Sequence, residues 1–101
     1  MDPDIPSFMI ADVVETVAGR DAGQLFYVVA VDGQFLSLAN GRDRTLEKSK
    51  RKKCKHAKKV LRSETRVAEK LREGDKVLNS ELREDLAELS QDMQSHNQGG
   101  F

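Results

Sequence analysis

The densest chemistry in this sequence is cationic. Lys48, Lys50, Arg51, Lys52, Lys53, Lys55, Lys58 and Lys59 crowd one short stretch, with Cys54 and His56 among them. A thiol two residues from an imidazole invites two site chemistries, metal ligation and nucleophilic catalysis. One Cys and two His in the whole chain, the second being His96, cannot fill a four-coordinate zinc site. A nucleophilic Cys needs a neighbouring base and a shaped pocket. In a strand His56 projects to the face of Cys54, but the sequence offers nothing to complete a site. Cys54 therefore reads as a small apolar residue of a strand. No phosphate-loop pattern and no glycine-rich dinucleotide fingerprint occurs, so no cofactor is expected.

What remains is the charge itself. A solvated surface loop is the plain reading of such a run. Yet no acid lies between Glu47 and Glu64, so the stretch has no local counter-charge. Clustered like charges repel one another and lower stability unless a partner uses them. A nucleic-acid backbone is such a partner, because binding releases its condensed counterions.

The net charge of zero hides a segregation. Residues 1–41 hold six acids and one base, residues 42–62 eleven bases and two acids, and residues 63–101 nine acids and five bases. The basic middle therefore governs partner choice more than the overall balance does. A single cysteine excludes an internal disulfide and fits a reducing cytosol. Met1-Asp2-Pro3-Asp4 lacks the basic flank of a signal peptide. The longest apolar run, Leu25 to Val31, falls far short of the ~20 residues that span a bilayer. The expectation is a soluble, cytoplasmic protein with no membrane partner and no small-molecule substrate.

The elements that must position these charges follow from turn chemistry and alternation. A loop with two glycines, Gly19 and Gly23, runs into the apolar strand Leu25 to Val31. Asp32-Gly33 then marks a hairpin turn, and Gln34 to Ala39 a returning strand. Leu25, Tyr27, Val29 and Val31 share one face of the first of these strands, and Phe26, Val28 and Ala30 the other. Apolar character on both faces predicts a strand in the wall of a small barrel with something covering its outside. Phe8 to Val17 reads as a preceding strand with a bulge at Val13-Val14. After the tight turn Asn40-Gly41, a fourth strand is expected over Arg42 to Glu47. A basic loop, Lys48 to Lys53, and a weak fifth strand from Cys54 to Val60 follow.

Beyond Leu61 the pattern becomes helical. Ser63-Glu64-Thr65-Arg66 looks like a helix start and Gly74 a stop. Asn79 or Ser80 is the next expected N-cap. Leu82, Leu86, Leu89 and Met93 form a narrow stripe, expected to pack on the first helix and the barrel. The predicted organisation is a flexible tail over 1–7, a barrel over 8–61, a helical hairpin over 62–94 and a disordered tail over 95–101.

One stretch also resembles a known family. Val13-Val14, then Ala18-Gly19-Arg20-Asp21-Ala22-Gly23, then Phe26, Val28, Val29, Val31 and Asn40-Gly41 look like a KOW motif. The likeness covers residues 10–60 and is to small bacterial KOW-domain RNA-binding proteins related to KOW-containing proteins of the large ribosomal subunit. Gly23 falls where the motif places its defining glycine. Gly19, Gly33 and Gly41 are the other turn glycines. Ala11 departs from the pattern, since many such motifs begin with glycine there. The resemblance implies a mainly β fold, an SH3-like (KOW-type) barrel followed here by the helical hairpin. It also implies RNA binding on the ribosome, without catalysis.

The expected RNA-contacting residues are Arg20, Gln24, Arg42 and Arg44 from the loops, with Lys48, Lys50, Arg51, Lys52, Lys53, Lys55, Lys58 and Lys59 from the basic run. Phe26, Tyr27 and Phe35 are either core or stacking platforms. So few aromatics favour recognition of structured RNA by shape and phosphate, ribosomal RNA first, over readout of unpaired bases. The alternative is a protein-interaction module of the translation or transcription machinery, using the barrel or the acidic helices. Ionic strength separates the two readings, since phosphate contacts weaken steeply with salt and an apolar interface does not.

Overall fold

Local signals account for the centre of the sheet. β1 (Asp12–Thr16), β2 (Leu25–Asp32) and β3 (Phe35–Ala39) pair antiparallel in sequence order. In this computed structural model, which describes residues 7–17, 19 and 23–98 with side chains to Met93, β4 (Lys50–Lys53) and β5 (Ala57–Arg62) complete a five-stranded antiparallel sheet. The strand order is β4-β3-β2-β1-β5. Asp32 pairs with Phe35, so the hairpin loop is Gly33-Gln34, one residue later than the expected Asp32-Gly33 centre. Gly33 takes the positive φ of 59° that the tight turn demands. The bulge expected at Val13-Val14 is present in the pairing of β1 with β5.

β4 and β5 lie at opposite edges of the sheet, yet only a 3₁₀ turn, Cys54–His56, joins them. In a flat sheet those edges would stand ~19 Å apart, four strand spacings. Four Cα steps reach at most ~14 Å. The sheet must therefore curl strongly. The turn is tied to both sides: Cys54 N donates to Gln34 O at 2.8 Å, and His56 O accepts from Val17 N at 3.0 Å. No ladder joins β4 to β5 among the described residues, so the curl stays open in hydrogen bonding.

Both faces of the sheet are buried. The concave side holds Phe8, Val14, Phe26, Val28, Leu36, Leu38 and Ala57, with Cys54 packed against them. On the other side Ala11, Val13, Tyr27 and Ala39 pack against Val67, Ala68, Leu82 and Leu86 of two C-terminal helices. These are α1 (Arg66–Glu73) and α2 (Asn79–Gln98). They are the outer cover that two-sided alternation in β2 required. Leu82 and Leu86 of the predicted stripe are buried and Leu89 is partly so.

α1 follows its sequence signals. Thr65 Oγ1 accepts from Ala68 N at 3.2 Å, and Gly74 closes the helix with φ 77°. α2 starts differently from expectation. Glu81 reaches back to Leu78 N at 3.1 Å, the reciprocal half of a capping box. The Asn79 side chain, expected to cap, instead accepts from Leu46 N at 2.8 Å and donates to Glu47 at 3.0 Å. α2 also continues to Gln98, past the expected end at residue 94.

Three further expectations are corrected. The fourth strand is Lys50–Lys53, while Arg42 to Glu47 forms turns and bends. Asn40 Oδ1 accepts from Arg42 N and Arg44 N, and Arg44 O accepts from Asn40 N and Gly41 N. These bonds coil the segment on itself and leave it no ladder to join. The basic run, expected as a loop, takes the free edge of β3 instead. Lysine suits an edge strand because its charge discourages further pairing. The first strand is shorter than expected. Ala11 turns the chain with φ 76°, donates its N–H to Val28 O at 2.8 Å, and lets Phe8 fold back into the concave core.

A polar knot ties the helices to the sheet. Tyr27 Oη lies 2.9 Å from Ser63 Oγ and donates to Asp85 Oδ2 of α2, which also accepts from Thr65 Oγ1 at 2.9 Å. Burial first, and then the bond to Asp85, push the Tyr27 hydroxyl up to about 12.

Candidate nucleic-acid interface

Strand alternation sorts the basic run onto two faces. Lys50 and Lys52 pair with Leu38 and Leu36, so they share the concave side and are half-buried. Both make polar contacts within the fold. Lys52 Nζ would lie 3.4 Å from a Cβ built on Gly19, which places it against the β1–β2 connection. Arg51 and Lys53 project from the convex side beside Ser37 and Phe35. The Arg51 guanidinium stacks 4.1 Å above the Phe35 ring, and Lys53 Nζ lies 5.9 Å from it. Phe35 is thus a platform for cations. Phe26 and Tyr27 are buried in the two cores.

The exposed charge continues past β4. Lys55 on the 3₁₀ turn and Lys58 at the start of β5 are both exposed. Among the described residues the ion pair of the Arg51, Lys53, Lys55 and Lys58 set is a long one, Arg51 to Asp32 at 3.9 Å, between exposed groups, and Glu15 stands opposite Lys58 across the β1–β5 ladder. Lys59 differs. Its Nζ lies 3.2 Å from the buried carboxylate of Asp12, which also faces Arg62 Nε at 3.5 Å and accepts from Met9 N at 2.9 Å. Lys59 and Arg62 therefore serve the fold. A buried carboxylate is tolerated only when paired in this way.

The loop candidates separate from this strip. Arg42 and Gln24 both line a groove that Arg83, Leu86, Ala87 and Gln91 of α2 line as well. Arg44 and Lys48 are exposed in the coiled segment after Asn40. Arg20 lies outside the described residues. Gly41 sits against α2, where a Cβ would meet Asn79 O at 2.2 Å, and its φ is 75°. The glycine there is demanded by contact as well as by the turn. Gly23, at φ 90°, has open space around it. Sequence reading missed Arg83, whose Nη1 donates to Gly41 O at 3.1 Å and which reaches the groove from α2. No local signal could have found it, because only the docking of α2 brings it near Arg42.

Chemically, the strip offers four exposed cations carried on a strand, a turn and a second strand. Such an arrangement can neutralise a row of phosphates. No protein-family model matches the sequence, and no curated protein matches it either.

Proposed function

We propose that this protein is a non-catalytic, cytoplasmic RNA-binding protein whose curled sheet is an SH3-like barrel of the KOW type. It binds structured RNA, ribosomal RNA first, by its phosphates. The observation that carries this reading is the strip Arg51, Lys53, Lys55 and Lys58, exposed and short of acids. Two further features support the KOW assignment. Gly23 adopts a positive φ where the motif has its glycine, and Ala11 adopts one where many such motifs have glycine. The three-residue link between the edge strands is the kind of join a small barrel needs.

Lys50 and Lys52 are poor test positions, since they are half-buried beside the concave core. The test replaces Arg51, Lys53, Lys55 and Lys58 together with glutamine, which keeps most of each stem and removes the charge. Filter binding to ribosomal RNA and to a short RNA duplex is measured across salt concentrations, with circular dichroism on the same variant. If all four cations touch duplex phosphates, the log-log salt slope falls by about three to four. A folded variant with the wild-type slope would refute the reading, as would wild-type binding to RNA that ignores salt.

A further inference from the structure

The groove between the sheet and α2 has a composition that phosphate binding alone does not call for. Its volume is about 570 Å³, within the ~300–1,000 Å³ usual for small-ligand sites. Arg42 and Arg83 stand in its lining with Asp43. Arg83 is held there by its bond to Gly41 O at 3.1 Å, whereas Arg42 has no ion-pair or side-chain hydrogen-bond partner among the described residues. Leu86 and Ala87 of α2 give an apolar wall, and the carboxamides of Gln24 and Gln91 add donors and acceptors.

Guanidinium, carboxamide and apolar surface together match the three parts of a nucleotide. A guanidinium clamps phosphate, a carboxamide pairs with a base edge, and the apolar wall takes a base face. Asp43 adds an acceptor that a base amino group can satisfy and that repels a bare anion.

We infer that this groove takes one nucleotide extruded from a structured RNA whose phosphates the strip engages. The extension rests on the RNA-binding reading for its biological partner, but the groove is testable without it. The probe is a nucleoside 5′-monophosphate, AMP or UMP, titrated into the full chain and followed by amide chemical shifts. Saturable shifts are expected at Gln24, Leu25, Ala87 and Gln91 with a millimolar Kd. Ala87→Trp should fill the groove and weaken binding at least about tenfold. The glutamine variant of the strip should leave it unchanged. Shifts absent, confined to β4, or reproduced by inorganic phosphate alone would overturn the inference. In a second arm, Ala87→Trp should lower affinity for a duplex with a single-nucleotide bulge and spare the uninterrupted duplex. Equal loss on both RNAs, or on neither, would also overturn it. Failure of wild-type protein to bind any RNA refutes the function proposed above, while the mononucleotide titration still decides the groove.

Discussion

Two of the positive-φ glycines, Gly41 and Gly23, allow the docking of α2 to be measured by subtraction. Replacing either by Ala forces an L residue into the left-handed region, which costs about 1–2 kcal/mol. At Gly23 nothing lies within 4 Å of the new methyl, so that cost is the whole effect. At Gly41 the methyl would lie 2.2 Å from Asn79 O and 3.1 Å from Arg83 N. Both are backbone atoms at the start of α2, and no side-chain rotation relieves the clash. α2 must lift, loosening the burial of Leu82, a side chain worth about 1.5–3 kcal/mol when fully buried. Gly41→Ala should therefore cost about 2.5–5 kcal/mol against about 1–2 for Gly23→Ala. In a domain of this size each kcal/mol moves Tm by about 4–8 °C, so the additional ~1.5–3 kcal/mol should set the two melting points about 6–24 °C apart. Urea unfolding followed by circular dichroism gives the same difference as free energy. Equal stabilities for the two variants would refute the close approach of α2 to the Asn40-Gly41 turn.

Two more outcomes follow from buried polar groups. Tyr27 is the single tyrosine, so ultraviolet absorbance reports its ionisation alone. It should titrate near 12 in the folded protein and near 10 in urea. Because the folded pKa is the higher one, the associated stability is fully present below about pH 10 and is lost as pH rises towards 12, up to about 2–3 kcal/mol. A native titration at 10 would mean that neither the burial of Tyr27 nor its bond to Asp85 holds in solution. Asp12→Ala strips Lys59 and Arg62 of their carboxylate and Met9 N of its acceptor. Since both cations are partly solvated, a loss of about 2–3 kcal/mol is expected in urea unfolding. Asp12→Asn, which keeps an acceptor for Met9, should lose less, and the reverse order would show that the Met9 hydrogen bond is not part of what the site provides.

Much of this protein is determined within a few residues of itself. The Gly33 hairpin, the bulge at Val13-Val14, the Thr65 cap and the Gly74 stop all arise from local backbone preference, and each is legible in the sequence. Two-sided apolar alternation in β2 likewise required an outer cover, and Val67, Ala68, Leu82 and Leu86 provide it. Other features depend on partners distant along the chain. Lys50 to Lys53 has the composition of a loop and becomes a strand because β3 offers a free edge, whose hydrogen bonds outweigh side-chain preference. Asn79 has the composition of a cap and is taken instead by Leu46 N, a bond that exists only once α2 has docked. The same docking sets Arg83 beside Gly41 and builds the groove from residues about forty positions apart. The sequence by itself determined how much positive charge the middle of the chain carries. Which cations face solvent and which serve the fold was decided by strand alternation and by the buried Asp12 carboxylate, and both come into being only when the strands pair and the core packs around them.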